Sequence, residues 1–249
     1  MIIHSFDDKS EPLMGPGSFY GPQGRLCDIC ILTFSHVILS EMKRLLPLRV
    51  GAVMGGVDGE KPIYLFEHAG KTLAVCLSGV GAALAGTNVV EINWLTGARK
   101  FIMFGSAGSL NQAATAGKYV LPTRAYRDEG MSYHYAPPAD YIRVPNADKL
   151  EAFFRARGLP YVTGPVWTTD AFYRETRDQV RARQAEGCLA VEMELAGVQA
   201  VCDFHGFALY DFLVTGDVLD APVYEVGELQ SANHDLDKLR IALELAGTL

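Results

Sequence analysis

Ala190-Val-Glu-Met-Glu-Leu-Ala-Gly197, read together with Thr215-Gly-Asp217, decides the fold class. The first stretch reads as the opening of a helix: Val191, Leu195, Val198 and Cys202 recur at helical spacing and mark a buried stripe. Glu194 aligns with Val198 and Val201 and so lies on or beside that stripe, whereas Glu192 aligns with Ala196, Gln199 and Asp203 on a more polar face. A carboxylate directed at a core is costly unless something binds it. The second stretch follows Ala208-Leu-Tyr-Asp-Phe-Leu-Val214, an apolar run of strand length, which places Asp217 just beyond the carboxyl end of a strand. In open α/β sheets that is where ligands bind. An inward glutamate and a strand-end aspartate point to a small-molecule site. The same residues also read as first-turn carboxylates favoured by the helix dipole and as a turn or cap aspartate.

Outward from these stretches, strand–turn–helix units repeat. Residues 29–34 read as a buried strand and 37–46 as a helix ending before Pro47; strands at 49–54 and 63–67 are split by the turn former Gly55-Gly-Val-Asp-Gly59. A strand at 71–77 runs through Ser78-Gly-Val-Gly81 into a helix over 82–96. That glycine turn would bring backbone N–H groups near an anion. Leu84 stands where a dinucleotide fingerprint needs its third glycine, which disfavours a dinucleotide. The next strand, 100–104, ends in Gly105-Ser-Ala-Gly-Ser109, read either as a loop that wraps a phosphate or sugar or as a tight turn. A short strand at 119–122 leads to a long aromatic segment from Arg124 past Tyr135, a lid or subunit contact. A helix over 147–157 closes on Gly158, and a strand at 161–166 precedes Phe172 and Tyr173, where a ring would stack on a base or pack in the core. The last helix, 233–246, carries Leu236, Leu239, Leu243 and Leu245 toward a sheet. The sum is an α/β chain with helices flanking a mixed sheet, preceded by a Gly/Pro-rich arm at 1–25.

With 249 residues and a hydrophobic fraction of 49%, the chain suits one large α/β domain rather than two. A formal net charge of -7 without any basic block disfavours nucleic acid as a partner. No apolar run reaches membrane-spanning length, and the first residues lack the regions of a signal peptide, so the expected compartment is the cytoplasm. An odd number of cysteines, five, scattered through apolar segments reads as reduced thiols. Cys27-Asp-Ile-Cys30 has no second ligand pair and leads straight into a strand, so no metal is expected there.

Several segments in order resemble the nucleoside phosphorylase superfamily, which includes hexameric-type purine nucleoside phosphorylase, uridine phosphorylase and the methylthioadenosine nucleosidases. They are Ser78-Gly-Val-Gly81, Gly105-Ser-Ala-Gly108, Asp128-Glu-Gly-Met-Ser-Tyr-His-Tyr135, Thr169-Asp-Ala-Phe-Tyr173, Val191-Glu-Met-Glu194 and Gly216-Asp217. The resemblance implies a single three-layer αβα domain over 1–249 with a mixed, partly barrel-like central sheet. It implies an enzyme that cleaves a purine or pyrimidine nucleoside with phosphate to free base and ribose 1-phosphate. Glu194 resembles the glutamate that takes the ribose hydroxyls, with Met193 packed beside the sugar and Glu192 close by. Asp217 resembles the acid that protonates or hydrogen-bonds the departing base, Phe172 the base-stacking ring, and Gly105, Ser106 and Gly81 the phosphate or nucleophile loops. His4 is similar to an N-terminal histidine that reaches a neighbouring subunit's site. The implied partners are therefore nucleoside, phosphate as co-substrate and further copies of the chain, as a dimer or hexamer, with no metal or organic cofactor. Departures are chemical. The phosphorylases carry Pro-Gly-Asp-Pro and an arginine where this chain has Leu32-Thr-Phe-Ser-His36, another arginine where it has Met103 and Phe104, and a neighbour-supplied arginine with no assigned counterpart here, Lys61 being no more than a candidate. Gly216 replaces a usual serine, and the Gln-x-Arg pair that selects uracil is not clean in Tyr173-Arg-Glu-Thr-Arg177. Arginine suits bidentate phosphate recognition, so its loss keeps a phosphate-independent nucleosidase, or an inactive nucleoside-binding protein, as alternatives.

Overall fold

Ile29–Thr33 is buried at every position, the mark of a strand covered on both faces. In the computed structural model, which describes residues 1–57 and 59–249, it is β1. The chain then runs through α1 (His36–Leu45), β2 (Arg49–Gly56), β3 (Gly59–His68), β4 (Lys71–Leu77) and α2 (Ala82–Thr96). Asp58, in the turn read at 55–59, lies outside the described residues. Next come β5 (Lys100–Ser109), α3 (Gln112–Thr115), β6 (Tyr119–Asp128), α4 (Ser132–Tyr135), β7 (Tyr141–Arg143), α5 (Ala147–Ala156) and β8 (Tyr161–Thr169). The last elements are α6 (Arg177–Ala185), β9 (Ala190–Glu192), α7 (Leu195–His205), β10 (Ala208–Val218), α8 (Leu229–His234) and α9 (Leu236–Thr248).

All strands belong to one ten-stranded mixed sheet. β5 pairs with β10, β10 with β6, β6 with β8, β8 with β9, and β9 again with β5, which closes a barrel. From the same β5 an open wing runs out through β1, β4, β3 and β2. β5 serves both because it is long: Lys100–Phe104 pairs with β1, and Gly108 and Ser109 pair with β9 further along. Alternation along β1 sends Cys30 and Leu32 into the core under α2 and α7, and Ile29 and Ile31 into the core under α1, α5 and α9. This is the expected sheet between two helical layers. Each large aliphatic side chain fully buried there contributes roughly 1.5–3 kcal/mol.

Six local expectations are corrected. The helix does not open at Ala190: residues 190–192 are strand β9, and α7 begins at Leu195. Nor does α7 have a polar face, because Leu195 to Cys202 are all buried and the helix packs against α2, α4 and β10. Gly105–Ser109 is not a loop but the second half of β5, where small residues let β9 and β10 close the barrel. Asp217 lies inside β10, and strand β6 runs on to Asp128 through what read as irregular chain. The terminal helix is two helices, broken at Asp235, whose side chain caps α9 by accepting the Asp237 N–H at 2.9 Å.

Candidate active site

β9 delivers Glu192 into the interior beside β8, with Thr168 as its register partner. One Glu192 carboxylate oxygen accepts the Thr168 hydroxyl; the other accepts the backbone N–H groups of Glu194 and Leu195, each at 2.7 Å. Helix N-termini leave such donors unsatisfied, and Glu192 caps α7 from within. Thr168 completes the lock by accepting the Ala196 N–H at 3.0 Å. Glu192 was expected at the substrate; it borders the cavity, but both its oxygens are used by the protein, so it positions the Met193-Glu194 turn.

That turn sends Glu194 to Gly81, whose N–H donates to its carboxylate at 2.6 Å. Gly81 is the N-cap of α2 at φ +103°, a conformation that favours glycine. Its N–H, expected to face an anion, is consumed in holding Glu194, and Gly81 does not line the cavity. Held there, Glu194 lines the cavity wall. Burial raises the pKa of Glu194, and burial together with the neighbouring Glu194 charge raises that of Glu192.

Asp217 owes its position to an irregularity in β10. Thr215 pairs with Ala107 and Asp217 with Gly108, so Gly216 is an extra residue opposite β5. A Cβ on Gly216 would stand 2.6 Å from the backbone Cα of Leu229 and 2.9 Å from the Cβ of Ala232, both in α8. The serine usual in the resembled family has no room here. Asp217 is 3% exposed, accepts the Tyr224 hydroxyl at 3.1 Å, and has its pKa raised by burial. Glu175 shares this side of the cavity; burial, then the charge of Asp217, pushes it up to about 7. Phe172, in a single 3-10 turn over Phe172–Arg174, presents a ring 39% exposed at the mouth.

These groups border one cavity of about 350 Å³, with Met193, Gly105 and Ser106 also in its lining. Its remaining wall holds residues that the sequence reading missed: Ser35, Asn233, His234 and Lys238. Ser35 caps α1 by accepting the Ile38 N–H at 3.1 Å, and its oxygen lies 2.7 Å from Nδ1 of His234. The Ser106 hydroxyl donates to Oδ1 of Asn233. Lys238 is 1% exposed and donates to the Ala232 carbonyl; burial pushes its ammonium down to about 8. A signal for Lys238 existed, since it shares a helical stripe with Ile241, Ala242 and Leu245. A lysine on an apolar stripe is a buried charge.

His4 lies in the short 3-10 turn Ile2–His4, which packs against α4, and does not line the cavity of its own chain. Lys61, in β3, does not line it either. Cys27 and Cys30 are free thiols; burial pushes Cys27 up to about 11 and Cys30 far up, so both stay protonated at neutral pH.

The phosphorylase superfamily model matches residues 28–246. A DeoD-type purine nucleoside phosphorylase from Exiguobacterium sp. is 26% identical over 182 residues, covering 72% of this chain and 76% of the relative. A guanosine phosphorylase from Halorubrum lacusprofundi is 32% identical over 138 residues, covering 54% of this chain and 56% of the relative. Among solved structures, AMP nucleosidase from Bacteroides thetaiotaomicron superposes with a TM-score of 0.67 at 19% identity, over 89% of both chains. Futalosine hydrolase from Helicobacter pylori gives 0.69 at 16% identity, over 88% of this chain and 98% of that one. These likenesses place the fold among proteins of both chemistries.

Proposed function

Since the chain belongs to the phosphorylase superfamily, we propose that it cleaves the N-glycosidic bond of a purine or pyrimidine nucleoside with inorganic phosphate. The observation that carries this reading is that Glu194 and Asp217 open onto the same cavity, with Gly105 and Ser106 in its wall. On this reading the Glu194 carboxylate accepts hydrogen bonds from the sugar hydroxyls, and its tie to Gly81 fixes the ring for attack. A phosphate oxygen attacks the anomeric carbon as the bond to the base nitrogen breaks. The electron pair leaves with the base, which Phe172 stacks and Asp217 protonates. Burial raises the pKa of Asp217, the direction in which a proton donor must move.

Phosphate is favoured over water by the composition of the wall around Ser106. Among the described residues lining the cavity, the carboxylates are Glu175, Glu192, Glu194 and Asp217, while the side toward α8 and α9 offers hydroxyl, amide, imidazole and ammonium groups. Phosphate is already a nucleophile and needs cationic donors; water needs a base. One observation keeps hydrolysis as the second reading: in the tautomer that donates from Nδ1 to Ser35, His234 leaves Nε2 as an acceptor for a water proton, whereas the opposite tautomer makes Nε2 a donor to an anion. A nucleoside panel assayed with and without phosphate separates the two. Ribose 1-phosphate formed only with phosphate supports the first reading, and equal turnover in phosphate-free buffer sinks it. On the same reading the protein works as a homo-oligomer in the cytoplasm, and His4 serves a neighbouring copy's site; sedimentation of the full chain as a monomer would remove that role.

A further inference from the structure

Lys238 is the only lysine or arginine among the described residues that line the cavity. It is almost completely buried and forms no ion pair among those residues, and its one hydrogen bond goes to the Ala232 carbonyl. An ammonium has three N–H donors, so two remain unused. Asp235 supplies the opposite charge that acts on it, without a salt bridge among the described residues, and burial outweighs that attraction. Such a group at a cavity wall calls for an anion that comes and goes.

Its surroundings are built to match. His234 and Asn233, at the end of α8, line the same wall and are tied across it, His234 to Ser35 and Asn233 to Ser106. Those bonds join the helix pair α8–α9 to the ends of β1 and to β5. The absence of a side chain at Gly216 lets α8 lie directly on β10, and the Glu228 N–H donates to the Gly216 carbonyl at 2.7 Å. Rotating the Asn233 amide would make it a donor to Ser106 and free the serine proton for the cavity.

The geometry points to a phosphoryl-oxyanion subsite built on the C-terminal helix pair, in which the Lys238 ammonium binds the anion with His234 and Ser106 as additional donors. The subsite deepens the phosphorolysis reading above and rests on it for the identification of the anion as the attacking phosphate. The same oxyanion chemistry belongs to a phosphate ester carried by the nucleoside.

The test is calorimetric titration of inorganic phosphate, and separately of a nucleoside 5′-monophosphate, into the full chain and its Lys238→Met, Lys238→Arg and His234→Gln variants. Steady-state kinetics run in parallel. Loss of one charge-assisted contact is expected to weaken phosphate binding about tenfold or more in Lys238→Met, with partial recovery in Lys238→Arg and a smaller loss in His234→Gln. The KM for nucleoside should stay within about twofold, since the sugar contacts are untouched. The melting temperature of Lys238→Met should not fall; a lower one with phosphate binding intact would show a structural cap for Ala232 and overturn the subsite. If the wild type turns over without phosphate, phosphorolysis fails, but a phosphate affinity lost on Lys238→Met still upholds the subsite. Weakened binding of the 5′-monophosphate alone identifies the anion as the ester. Wild-type protein that binds neither anion overturns it, as does unchanged affinity in Lys238→Met. Should Lys238→Met not fold, the His234→Gln titration decides in the same way.

Discussion

The cavity has two walls of opposite character, built by different means. The acidic wall belongs to the barrel: Glu192 and Glu194 flank the end of β9, Asp217 sits in the bulge of β10, and backbone N–H groups hold both glutamates. The cationic wall belongs to α8, packed on β5 and β10, and to α9, packed on β5, with the side-chain pairs Ser35–His234 and Ser106–Asn233 tying it in place. A carboxylate fixed by backbone donors moves only if the barrel moves, which suits the task of orienting a sugar. A wall carried on a terminal helix pair can change its chemistry without disturbing barrel closure. On the proposed reading, the comparison assigns recognition of the sugar and choice of the nucleophile to separate parts of the molecule.

The sharpest way to break that division is Asp217→Asn. Losing a general acid should lower kcat about 10²–10⁴-fold on ordinary nucleosides. The loss should nearly vanish on a riboside whose leaving group is stable as an anion. An equal loss on both would take Asp217 out of the proton-donor role. Glu194→Gln follows, with kcat/KM for nucleoside down on the order of 10²-fold through misplacement of the sugar. The phosphate KM should hold, and a parallel rise in it would show that the two walls are not separable. Gly216→Ala tests the seam between them. Its Cβ would press on the Leu229 backbone, so urea unfolding should show a loss of about 1–3 kcal/mol. Phosphate affinity should drop as α8 lifts, and full stability would mean that α8 has room to spare.

The smallest effect is in pH dependence. Burial raises Glu175 from an ordinary 4.5 to about 7, and Glu194 likewise to about 7. Between those values the folded state holds protons that the unfolded chain releases, so their contribution is full below about 4.5 and is lost as pH rises through about 7. The decline in melting temperature between pH 5 and 8 should therefore be shallower in Glu175→Gln than in the wild type, and identical slopes would contradict the burial of that carboxyl.

Local pattern carried the regular elements far. β4 and α2 match their readings at both ends, because an apolar run and a 3.6-residue period are written in consecutive residues. Where pairing partners decide, reading failed. Nothing within Gly105–Ser109 says that β9 and β10 will take it into a sheet, and nothing near Ala190 says that β8 lies waiting for it. The break at Asp235 was equally invisible to a stripe that runs on through Leu236 and Leu239.

By itself the sequence determined the layered α/β class, its family resemblance and the candidate acids, since these depend on residue type and order. Only the tertiary structure decided that Glu192 caps a helix while Glu194 is tied to Gly81 at the cavity wall. That difference turns on Gly81, 113 positions from Glu194, and on Thr168, 24 positions from Glu192. Only the folded chain brought Lys238 to the same cavity. Periodicity records which side of an element is buried; what a buried charge meets there depends on segments remote in the chain, and hydrogen bonding to those segments settles its role.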